Sequence, residues 1–139
     1  MFSISNINQI LPTVHRNERA VSEIFGKEIE HNWCYFYQKA ELAVQFKDWK
    51  QVLELYNESK AIAEKPKHGR ELFPFIITDA NLGKWSAVTE KSEEALAITS
   101  SDDITPRVCQ LWKRIGQETA TSLEKEETIR ILTEKYQCD

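Results

Sequence analysis

Few residues in this chain are spaced for chemistry. His31 and Cys34 stand three apart at the start of a helical pattern, a spacing that lets two ligands reach one metal ion from one helix face. A structural zinc needs four ligands, and no other His or Cys lies nearby in sequence. The pair therefore reads as a capping histidine and a packed or half-buried thiol, and no metal is expected. Glu93 with Glu94 and Glu126 with Glu127 offer carboxylate pairs for acid–base work. Neighbours on a helix point about 100° apart, however, so both pairs read as solvated surface. Trp33, Trp49, Trp85 and Trp112 could stack on bases or sugars, but they recur on apolar faces, which marks them as core. The 4 glycines stand one by one, so no phosphate cradle can form, and neither a GxSxG elbow nor an HExxH pair is present. No catalytic residue and no cofactor is assigned, and the chain reads as a non-enzyme.

Bulk properties narrow the partners. The 139 residues carry 18 Lys and Arg against 22 Asp and Glu, a formal net charge of −4, and the sequence pI is about 5.5. Such a chain lacks the broad positive field that nucleic acid or an anionic membrane surface requires. Its densest basic cluster, Lys65, Lys67, His68 and Arg70 around Pro66 and Gly69, is read as a solvated loop between helices; its functional alternative is a seat for a phosphate or an acidic peptide. Cys34, Cys109 and Cys138 form an odd set without CxxC spacing, so no disulfide framework is expected and a reducing, cytoplasmic location follows. Met1 to Leu11 includes Asn6, Asn8 and Gln9 and no basic flank, unlike a signal peptide. No uncharged apolar run reaches the ~18 residues of a membrane span, so direct membrane insertion is not expected.

The elements that must position any site are helices. Gly and Pro contribute only 4 residues each, and apolar residues recur at helical rather than alternating spacing. Two short N-terminal helices are expected within residues 1–31, divided at Pro12 and closed at Gly26. Asn32 then caps a helix with Trp33, Phe36, Tyr37, Ala40, Ala43 and Val44 on one face, and after Lys47 and Asp48 a second begins at Trp49. Residues 32–64 thus form one hairpin, residues 69–99 a second, and residues 105–137 a third hairpin or cap. In the second, Pro74 fits only in a first turn, and Gly83 and Lys84 turn the chain into Trp85. In the third, Thr105 is read as N-cap with Pro106 at the first helical position. Ile129, Leu132 and Tyr136 point inward.

An internal repeat is the most specific signal. Trp49 and Trp85 lie 36 apart, and at that offset Val52 matches Val88, Glu54 Glu90, Glu58 Glu94, Ala61 Ala97 and Ile62 Ile98. These are six identities in 14 positions, where average composition gives roughly one. Periods of this length mean stacked helical pairs, none of which can bury its apolar face alone. Lys47-Asp48-Trp49 with Val52, and Gly83-Lys84-Trp85 with Val88, resemble the turn signature of tetratricopeptide repeats over roughly residues 33–98. They differ in a period of 36 rather than 34 and in Val where that family most often has Ala. The resemblance implies an all-α solenoid: about three antiparallel hairpins plus the N-terminal helices, with a concave face that takes a protein or peptide. Positions 36 apart on the first helices identify the binding candidates as Tyr37 with Phe73, Glu41 with Ile77, and Gln45 with Asn81. The same six residues can equally face a neighbouring helix.

A second stretch, Glu30-His31-Asn32-Trp33-Cys34-Tyr35-Phe36-Tyr37 continuing to Ala43, with Glu71-Leu72-Phe73-Pro74-Phe75, is similar to a soluble C-terminal region of bacterial membrane glycosyltransferase-type proteins. That resemblance implies a soluble accessory domain of a membrane glycosyltransferase-type protein, acting in cis with no ligand of its own and with a membrane protein as its partner, and it carries over no catalytic residue. The leading expectation is a cytoplasmic, non-catalytic interaction module. The accessory domain and an enzyme with an unrecognised site are its rivals.

Overall fold

The computed structural model describes residues 32–98 and 103–139, and every regular element among them is helical. They are α1 (Trp33–Gln45), α2 (Trp49–Ser59), a 3-10 turn (Gly69–Leu72), α3 (Phe73–Asn81), α4 (Trp85–Ala97), α5 (Thr105–Glu118) and α6 (Leu123–Lys135). The expected helices of residues 1–31, and His31 with them, lie outside the described residues.

Local chemistry sets most of the ends. Asn32 is extended, and its Oδ1 accepts from the Tyr35 N–H at 3.0 Å; Asp48 does the same for Gln51 at 3.2 Å, and Ser122 for Lys125 at 3.1 Å. The exits of α1, α3 and α6 share one design. Lys47, Gly83 and Gln137 have φ of 56°, 74° and 55°, a left-handed step that Gly takes without the Cβ penalty the other two bear. Just beyond them, the Asp48 N–H donates to Ala43 O at 2.9 Å, Lys84 N–H to Asp79 O at 2.8 Å and Cys138 N–H to Thr133 O at 2.8 Å. Each is the long bond of a Schellman motif, which satisfies a carbonyl that the helix end would otherwise leave open.

Of two proline-bearing starts, one agrees with its expectation and one does not. Pro74 does sit in the first turn of α3, but the chain enters through the 3-10 turn, which spends its bonds before the missing N–H matters. Helix α5 begins at Thr105, with Ile104 at the cap and Pro106 second, so Thr105 lies inside the helix instead of capping it, and its N–H donates to Asp103 Oδ1 at 2.9 Å.

Sequence-adjacent helices pack together as α1 with α2, α3 with α4 and α5 with α6, while α1 touches α3 and α3 touches α5. The core runs through these contacts. Phe75 is its hub: Trp33 and Tyr56 lie against it, with ring centroids 5.8 and 4.9 Å away. Val52 and Val88, 36 apart, are both fully buried. Their tryptophans are not equivalent, although the signature places both inside. Trp85 is 2% exposed while Trp49 is only half-buried. Helix α4 packs against the 3-10 turn, α3, α5 and α6, whereas α2 packs chiefly against α1 and α3, so Trp85 is covered from more sides.

The largest correction concerns the cysteines. Cys109 and Cys138, expected to be unpaired, are joined in a disulfide, with Cα atoms 5.6 Å apart, and Cys34, expected to be packed or half-buried, is an exposed free thiol. The Schellman turn after α6 folds Cys138 back onto α5, a placement that spacing alone does not reveal. With two of its three cysteines bonded, the chain gives no cysteine-based indication of a reducing compartment. No helix among the described residues is long and apolar enough to cross a membrane.

Candidate binding groove

Helices α1, α3 and α5 converge on one open cavity of about 310 Å³. From α1 come Glu41, Val44 and Gln45, spaced so that successive turns present them on one face. From α3 come Phe73, Pro74 and Ile77, and from α5 come Leu111 and Arg114, again three apart. Pro74 and Leu111 are buried and Val44, Phe73 and Ile77 half-buried, which gives an apolar floor; Glu41, Gln45 and Arg114 are exposed and form a polar rim. The rim carries both signs of charge. Arg114 Nε lies 3.2 Å from both carboxylate oxygens of Glu118, one turn on.

Four of the six residues chosen from the repeat, Glu41, Gln45, Phe73 and Ile77, line this cavity together. Tyr37 and Asn81 do not. Tyr37 sits one turn before Glu41, and its hydroxyl donates to Glu41 Oε1 at 2.6 Å. Partial burial first, and then that hydrogen bond and the Glu41 charge, push the phenol up to about 12, against an opposing pull from Arg70. Tyr37 is thus a neutral donor that fixes the Glu41 carboxylate. Asn81 is exposed, and its Nδ2 donates to Ile77 O at 2.8 Å, inside its own helix.

The third helix of the groove lies beyond the reach of the repeat. Counting 36 on from Phe73 and Ile77 gives Cys109 and Lys113, which line a different cavity. The third pair lacks the Trp-x-x-Val signature, so its register could not be carried forward. The available signal was the apolar face of α5, on which Leu111 already stood.

Chemically the groove can hold apolar side chains and orient them by hydrogen bonds and charge at its rim. It brings no nucleophile beside a base. Among the described residues no group of three or more His, Cys, Asp or Glu could hold a metal ion. No protein-family model, curated protein or solved structure matches this chain.

Proposed function

We propose that the chain is a non-catalytic interaction module. Its helical pairs form a tetratricopeptide-like superhelical stack that binds a protein or peptide segment on its concave face. The observation that carries this reading is the convergence of α1, α3 and α5, the first helices of the three pairs, on one apolar-floored groove with a mixed-charge rim. Apolar floors with polar rims are the common anatomy of protein interfaces, and half-buried aromatics such as Phe73 supply the anchors. The rim carries one cation and one anion, so the favoured ligand is an amphipathic segment rather than a polyanion such as nucleic acid. A segment of a membrane protein is within this class.

The test is selection of peptides from a random display library on the immobilised chain, followed by titration of the enriched peptides against Phe73→Ala and Ile77→Ala. Peptides that lose affinity for both variants support the groove. Enriched peptides that bind both variants as tightly as the parent, or a library that enriches nothing, would overturn it.

A further inference from the structure

We propose that the Cys109–Cys138 bond is a thiol-exchange site, opened by a dithiol reductant through attack on Cys138 while the helices remain folded. The proposal does not depend on the groove. Three observations converge on it. The first is that contacts other than the bond itself hold the Cys138 segment against the fold. Cys138 is seated by its own N–H on Thr133 O at 2.8 Å and by Gln137 N–H on Glu134 O at 3.3 Å, and the adjoining Tyr136 ring lies 5.7 Å from that of the fully buried Trp112. A bond so templated re-forms after it is cut, because loop closure is already supplied by hydrogen bonds and ring packing.

The second observation is access. Both cysteines are only half-buried, and both line an open cavity of about 390 Å³, whereas structural disulfides resist exchange when a thiolate cannot reach them. The third is electrostatic asymmetry. The ionisable groups around this cavity are Lys113, Asp103, Tyr136 and Asp139. Lys113 lies one turn beyond Cys109 on α5, where its charge favours a departing Cys109 thiolate and draws in an anionic attacker. Asp139 adjoins Cys138 and disfavours a thiolate there. Lys135, nearby, is engaged with Glu93 at 2.8 Å. The sulfur whose thiolate is better stabilised leaves faster, so Cys109 is the leaving group.

A thiolate of the reductant forms a bond to Cys138 Sγ as the Sγ–Sγ bond breaks, and its electron pair departs on Cys109. The reductant's second thiol loses its proton and attacks the first, releasing Cys138 as a thiolate. The protein gains two electrons and two protons, and the dithiol becomes a disulfide.

The experiment uses the full chain carrying Cys34→Ser, oxidised beforehand with glutathione disulfide. Dithiothreitol should open the bond at least about tenfold faster than the chain unfolds globally, as judged by exchange of core amides, with far-ultraviolet circular dichroism unchanged and the bond restored once the reductant is removed. A brief pulse of reduced glutathione, quenched in acid and mapped by peptide mass, should place glutathione on Cys138. Lys113→Met should slow opening several-fold, which a purely structural bond would not show. Opening no faster than global unfolding, glutathione on Cys109, or two free thiols after the oxidising treatment would each overturn the proposal.

Discussion

Asp79 and Lys91 form an ion pair inside the fold, Nζ to Oδ2 at 2.5 Å, with the Asp side chain 2% and the Lys side chain 12% exposed. Lys91 also lies 4.5 Å from the ring centroid of Tyr56. At the 36-residue offset the corresponding positions are Ala43 and Leu55, both buried and both apolar. One pair of helices thus carries a buried charge pair at positions where the preceding pair has two buried apolar residues. Removing one partner leaves the other charge buried and unpaired, which typically costs about 3–5 kcal/mol, whereas replacing both with well-packed apolar residues is often neutral or better. Asp79→Ala and Lys91→Leu should each be strongly destabilising in chemical denaturation, and the double variant, which copies the other unit, should recover most of the loss. A double variant as unstable as the singles would show that the pair is needed for more than mutual neutralisation.

The tryptophans divide by burial. Trp85→Ala should cost about 3–5 kcal/mol, as large-to-small changes at fully buried aromatics do. Trp49→Ala, at a half-buried site, should cost about half as much, because less apolar area leaves water on folding. Equal losses in denaturant titrations would contradict the asymmetry of the two environments.

Two glycines separate backbone freedom from space. Gly83 holds φ at +74° with nothing within 4 Å of an added Cβ, so Gly83→Ala meets only the left-handed penalty, about 1 kcal/mol. A Cβ on Gly69 would collide with the Ala95 carbonyl and Ile104 Cδ1, and the carbonyl cannot yield without moving α4. Gly69→Ala should therefore be the worse of the two, at about 2–3 kcal/mol. Thermal melts of the two variants decide the order.

The helices, their order and most of their inner faces were legible in the sequence because apolar spacing and capping residues act locally. Asn32 and Pro74 are read correctly from their own chemistry. What the sequence hides is what depends on a neighbour. Trp49 and Trp85 share one signature, but their burial is set by how many elements cover each. Cys138 meets Cys109 only because a left-handed Gln137 turns the chain. Lys125 sits in a charged run yet is buried, its Nζ donating to Thr119 O at 2.7 Å. In the groove, Glu41, Gln45, Phe73 and Ile77 follow from the repeat, whereas Leu111 and Arg114 lie where the repeat's register is lost.

Tyr37 gives a pH signature. Its phenol is raised to about 12, from an unfolded value near 10. A group whose folded pKa is raised contributes stability that is fully present below the unfolded value and is lost as pH climbs through the folded one. The Tyr37 contribution should therefore fade between about pH 10 and 12. Ultraviolet absorbance should show this phenol ionising late, and Tyr37→Phe should remove that late component. An unchanged titration in the variant would assign the late phenol to another tyrosine.

The groove makes its own demand on binding. Phe73 and Ile77 are half-buried on the floor, so a ligand that covers them removes the remaining apolar surface from water, and truncating such anchors commonly costs on the order of 2 kcal/mol or more. That corresponds to weakening by about thirtyfold. Phe73→Ala and Ile77→Ala should each reach about that loss for any segment the chain binds there; both side chains are half-buried against the core, so each variant should also lose some stability, and binding is read well below its melting temperature. Arg114→Ala should weaken binding less and mainly at low salt, because exposed charges are screened over about 8 Å at physiological ionic strength. Tyr37→Phe should have an intermediate effect, because it removes the hydrogen bond that orients Glu41 and leaves the ring in place. Calorimetric titration at two salt concentrations separates these classes. If Phe73→Ala and Ile77→Ala both bind normally at both concentrations, the ligand sits elsewhere on the chain.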